Sequence, residues 1–147
     1  MSSKNQYSKA NATSLKELAD FANSLNEKQL VTPMPAAWTV SGVLAHLAFW
    51  DFRATTLIHK WRIEGISASP NDVDVVNETS RPFLIAIEPR QAVNLTLECA
   101  RELDSLIDSL DDDFIHMIEE QGKTVRLDRA HHRNLHLGEI KTALGLK

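Results

Sequence analysis

Apolar residues recur along this chain at steps of three and four, and strand-like alternation is nearly absent. Behind a polar stretch at residues 1–11, expected to be a flexible leader, Leu15, Leu18, Ala22 and Leu25 fall on one face of a first helix. The stretch "TPMPAAW" carries two prolines that cannot continue a helix and is expected to be a connection. Thr39 is suited to cap the next helix. From there Val43, Leu44, Leu47, Ala54, Ile58 and Trp61 lie on one side of a long second helix that Gly65 ends, although Gly42 stands where a capping box would place Glu. Residues 65–88 hold Gly65, Pro70 and Pro82 and only short periodic pieces, so they predict a long crossover with one short helix near "DVDVVNETS". Pro89 fits a first helical turn, and Val93, Leu97, Ala100, Leu103, Ile107 and Leu110 continue a third helix, which "DDDF" is expected to close. After a turn at Gly122, "LDRAHHRNLHLGEIKTALG" forms the fourth, ending at Gly145. The predicted fold is all-α: a four-helix bundle with one long crossover connection, over a single domain at residues 1–147.

The chain has 147 residues, 43% hydrophobic and 24% charged, enough to enclose its own core without staples. A formal net charge of −4 leaves no basic stripe for a phosphate backbone, so nucleic acid is not an expected partner. Cys99 is the sole cysteine, so no disulfide can form within the chain, which suits a reducing compartment. The N-terminal residues lack the apolar centre of a signal peptide, and no apolar run approaches the length of a membrane span. A cytoplasmic protein without membrane association is expected.

The candidate chemistry lies in "RAHHRNLHLGEI", residues 129–140, which holds three of the six histidines. His132 and His136 are four apart, hence one helical turn apart on one face, within joint reach of one cation. Imidazole suits Zn, Ni, Cu and Fe, but a catalytic zinc centre takes three protein ligands. His46, mid-helix at the margin of an apolar stripe in "VLAHLAFWD", is the obvious third. The spacing permits the three to converge and equally permits packed or solvated histidines.

Other residues carry less. Arg53 and Arg133 could clamp an anionic substrate but read first as helix-surface arginines. Asp51 and Glu139 could accept the free N–H of a ligand histidine; Asp51 lies roughly opposite the apolar face, where a solvated charge is expected. "DDDF" lacks the spacing of a calcium loop and reads as a solvated helix end, and "NDVDVVNE", which alternates Asp72 and Asp74, is followed by no Glu at loop position twelve. Cys99 has no basic neighbour to make it reactive, His59 and His116 have no partner at ligand spacing, and the three tryptophans read as core or pocket lining.

"AAWTVSGVLAHLAFWD" resembles the second-helix signature of the DinB-like superfamily, and "HHRNLHLGEI" resembles that superfamily's C-terminal helix. The superfamily includes mycothiol-dependent maleylpyruvate isomerase, bacillithiol transferases and colibactin self-resistance type proteins. The resemblance implies a divalent metal, Zn, Ni or similar, on His46, His132 and His136. His131 has no counterpart among the three ligands; it, Trp50, Arg53 and Glu139 are expected behind the ligands or facing substrate. It also implies a homodimer acting on a small-molecule substrate, with a low-molecular-weight thiol as a candidate cofactor. The function expected is that of a metal-dependent, thiol-dependent transferase or isomerase, or a hydrolase. The alternative is a non-catalytic bundle that binds a small ligand or a protein and serves stress tolerance.

Overall fold

The computed structural model describes residues 3–122 and 124–147. Seven α-helices and one two-stranded ribbon make up the described chain, which is therefore all-α apart from a minimal hairpin. Helix α1 spans Ser3–Ser24 and α2 Glu27–Leu30, the latter opened by a capping box between Asn26 and Gln29. Strands β1 (Pro33–Met34) and β2 (Trp38–Thr39) pair antiparallel around a 3-10 turn at Pro35–Ala37, in which Ala36 and Ala37 take left-handed φ of 59° and 63°. Helix α3 runs Val40–Glu64. The Thr39 side chain accepts from the Gly42 amide at its start, and Gly65, at φ 92°, donates its N–H to the Trp61 carbonyl at its end. Helix α4 spans Val73–Ile85, α5 Pro89–Ser109, α6 Asp112–Glu120 and α7 Ala130–Ala143.

Three elements differ from the pattern-based expectation. The first helix reaches back to Ser3, so residues 3–11, expected to be a flexible leader, are helical. Tyr7 packs against an apolar cluster and Asn11 is fully buried among polar partners, contacts with distant residues that local periodicity does not encode. Within the crossover, α4 is a 13-residue helix carrying Pro82 inside it, longer than the short piece expected. "DDDF" starts a helix: Asp111 accepts from the Phe114 amide at 2.8 Å, and Ile115 and Ile118 of α6 are buried.

Helices α1, α3, α5 and α7 pack so that α5 lies against α1 and α3, and α7 completes the circuit by touching both of them, while α4 covers α3. Two large apolar clusters fill the interior, and a small third, Ala45, Leu84 and Ala92, lies under α4. One joins Leu18, Leu44, Leu97, Leu137 and Ile140; the other joins Ile58, Trp61, Leu103, Ile107, Ile118 and Leu127. The apolar stripes read from the sequence on α3 and α5 are buried throughout. Among the described residues no helix is long and apolar enough to cross a membrane.

A polar layer lies at the boundary of the two clusters. Arg133, 1% exposed, donates to both carboxylate oxygens of Asp104 at 2.6 and 3.0 Å, and to Asn11 O and Ser14 Oγ. Arg129 donates to Asp51 Oδ1 through Nε at 3.0 Å and lies 2.8 Å from it through Nη2. Arg133 Nη2 stands 3.7 Å from Asp51 Oδ2, so one carboxylate on α3 serves two guanidinium groups at α7. The expectation of a helix-surface Arg133 and a solvated Asp51 is thereby corrected: both are buried, and each charge is matched across helices. Asn11 fastens the same place, donating to Leu127 O at 2.9 Å and accepting from the Arg129 amide at 2.8 Å.

Candidate metal centre

Helix α7 carries two faces. Ala130, Arg133, Leu137 and Ile140 point into the interior, and His132 and His136, rotated from that stripe, share a second face. Helix α3 places His46, buried, opposite that face. The His46 ring centroid lies 5.3 Å from that of His132 and 4.8 Å from that of His136, and the latter two are 4.7 Å apart. One nitrogen from each ring lies within 4.8 Å of the other two, so His46, His132 and His136 could hold a metal ion.

The donor set suits a borderline divalent cation. His132 Nε2 and His136 Nε2 are 3.1 Å apart, close to the roughly 3.3 Å that separates two nitrogens on one tetrahedral zinc. The other nitrogen of His136, Nδ1, faces Glu139 Oε2 at 3.0 Å, an arrangement in which Nδ1–H donates to the carboxylate and Nε2 is the nitrogen that would meet a metal. Thus Glu139 stands where a ligand-orienting carboxylate would stand. His46 Nδ1 is buried with no hydrogen-bond partner among the described residues, and the ring rests edge-on against Trp38 and the other two histidines. Because metal-ligand orientation depends on such outer contacts, Glu139→Gln is expected to weaken zinc binding by about 10–100-fold with little change in fold. Competition with a chromophoric chelator reads that loss; unchanged affinity would remove Glu139 from the centre.

Burial keeps the rings of His46 and His132 neutral. Desolvation, reinforced by His136, lowers His46 from 6.5 to about 4. Desolvation again, then His136, Arg129, His46 and His131, lowers His132 to about 2. Neutral imidazole is the form that binds metal. Both folded-state values lie below 6.5, so at lower pH the unfolded chain takes up protons that the folded chain refuses. The metal-free protein keeps the full contribution above pH 6.5 and loses it from there toward about 4 for His46, and on toward about 2 for His132. Urea midpoints of metal-free protein should therefore fall between about pH 7.5 and about pH 5, and fall less in His132→Gln. A drop untouched by that substitution would contradict the assignment.

Two cavities meet at the histidines. One of about 870 Å³ is walled mainly by apolar groups, among them Met34, Ala36, Trp38 and Val43. The other, about 470 Å³, is lined by Trp50, Arg53, Arg126 and His131 among others. His46, His136, Leu135 and Asn77 border both. Trp50 donates its indole N–H to Asn77 Oδ1 at 2.9 Å, which ties α4 to α3 beside the site. Arg53 donates to Thr124 O at 3.2 Å and Ser69 O at 3.0 Å, joining two loops at the cavity edge. His131 is exposed and stands apart from the three-histidine group, though it lines the smaller cavity.

Several residues take other places. Asp51 contacts arginines rather than a histidine, so it acts on the site only through the placing of α7 against α3. Cys99 is buried on α5, and burial foremost, with Asp51 and the nearby glutamates, pushes its thiol up to about 11. His59 is exposed, and His116 faces only Glu120 across one helical turn. Sequence reasoning missed Asn77 and Arg126. Asn77 sits in the crossover, where periodicity is weakest. Arg126 lies in the turn before α7, and neither residue carries a local signal. No family model matches the chain, and no curated protein or solved structure is significantly similar to it.

Proposed function

We propose that this protein is a divalent-metal-dependent enzyme of the DinB-like four-helix-bundle type, a thiol-dependent transferase or isomerase, or a hydrolase. The observation that carries the reading is the convergence of His46, His132 and His136, whose nitrogens lie within 4.8 Å of one another at the junction of two cavities. Supporting it are the carboxylate of Glu139 behind His136 and the polar layer that sets α7 against α3. A zinc or nickel ion bound by three neutral imidazoles keeps its full charge, which acidifies water or a thiol and polarises a carbonyl. The chain's own part is to hold His46 and His132 neutral, to orient His136 through Glu139 and to shield the centre with Trp38 and Trp50.

Elemental analysis of protein purified without a histidine tag tests the premise. About one divalent ion per chain is expected, as is a rise in melting temperature on adding Zn, Ni or Mn to stripped protein. Absence of both would overturn it. Metal-dependent transfer of glutathione to a chloronitrobenzene, against metal-dependent hydrolysis of a nitrophenyl ester, separates the two chemistries, and neither activity would leave a non-catalytic bundle. A homodimer fits the exposed Phe52 and Leu95, which line an apolar cavity with Leu84 and Phe49. Light scattering should give about twice 16.5 kDa; a monomer mass would dismiss the dimer.

A further inference from the structure

The two cavities beside the histidines differ in chemistry, and the difference describes what fits them. The larger is walled by Met34, Trp38, Val43 and Leu135, with few polar groups facing in. The smaller holds three arginines. Arg129 is neutralised by Asp51, but Arg53 donates, among the described residues, only to the uncharged Thr124 O, Ser69 O and Ser69 Oγ. Arg126 forms no ion pair among the described residues, and its side chain makes no hydrogen bond there. The one carboxylate lining that cavity, Asp128, accepts from the Ala130 amide at the start of α7. Two guanidinium charges thus face the arginine-bearing cavity with no ion pair among the described residues, one of them half-buried, and guanidinium is the group best shaped to take a carboxylate or phosphate.

We propose that the substrate is a small amphipathic organic anion: its anionic head lies in the smaller cavity at Arg126 and Arg53, and its hydrocarbon limb crosses the histidines into the larger, more apolar cavity against Trp38 and Val43. This rests on the metal-centre reading for its placing of the reacting group at the junction, whereas the head and limb preferences come from the cavities themselves. Asn77 and Leu135, which border both cavities, define the passage between them.

Isothermal titration calorimetry of zinc-loaded and of metal-stripped protein against decanoate, decanol, decyltrimethylammonium and acetate tests it. Decanoate is expected to bind at least about tenfold more tightly than each of the other three, a gap of about 1.4 kcal/mol or more. Arg126→Gln, at an exposed side chain without partners among the described residues, should weaken decanoate about tenfold and leave decanol unchanged. Equal binding of all three decyl probes, or decanoate binding that needs zinc and ignores Arg126→Gln, would overturn the proposal while leaving the metal centre intact. Protein that takes up no zinc yet keeps the Arg126-dependent preference would sink the metal-centre reading and uphold the cavity assignment.

Discussion

Arg133→Ala is expected to lower stability by about 3–5 kcal/mol, enough to unfold much of the protein. The guanidinium is 1% exposed and holds Asp104 at 2.6 Å, so its removal leaves that buried carboxylate without its cation and leaves Asp51 with Arg129 alone. Asp104 already shows the strain of the place: burial raises its pKa, and the hydrogen bonds and charge of Arg133 oppose that rise. The double variant Arg133→Met with Asp104→Leu should recover much of the loss, because an apolar pair of similar volume leaves fewer charges unsatisfied. Urea unfolding of the single and double variants decides the matter. A loss below about 1 kcal/mol for Arg133→Ala would mean that the charge network does not hold the core as described.

His132→Ala is the second large effect, and it falls on ligand binding rather than on folding. Zinc affinity should drop by more than the about 10–100-fold expected for losing an orienting partner, since one of three donors is gone. At zinc concentrations about 1,000 times the native dissociation constant, the native protein should gain roughly 4 kcal/mol and the variant little. His131→Ala, at an exposed neighbour outside the cluster, is the control and should bind zinc like the native chain. Metal-free His132→Ala should remain folded, because the ring it removes is a half-buried imidazole whose charging the fold opposes. Equal zinc affinity in native and His132→Ala protein would dissolve the three-histidine centre.

The helical pattern was legible wherever apolar residues alone decide burial. Val43 to Trp61 on α3 and Val93 to Leu110 on α5 show it, and so do Thr39 and Pro89 at the helix starts. It misled where polar side chains do the packing. Arg133 falls on the inward stripe Ala130, Arg133, Leu137, Ile140, so its position in the three-and-four spacing was a readable sign of burial; its residue type argued for the surface. Asp51 and Asn11 had no such sign, since their partners are 78 and 118 residues away in sequence. The candidate centre divides in the same way. The four-residue step from His132 to His136 is local, whereas the approach of His46 depends on how α3 lies against α7, and spacing alone left that open.

The side-chain amide of Asn11 behaves as a stretch of main chain would, presenting a donor to Leu127 and an acceptor to Arg129 where no strand is available to do so. The first helix is consequently the hinge-pin of the last one. Trimming the chain up to this asparagine would leave the entrance of the histidine-bearing helix unpegged, and damage done at one terminus would be felt as slackness in a pocket near the other.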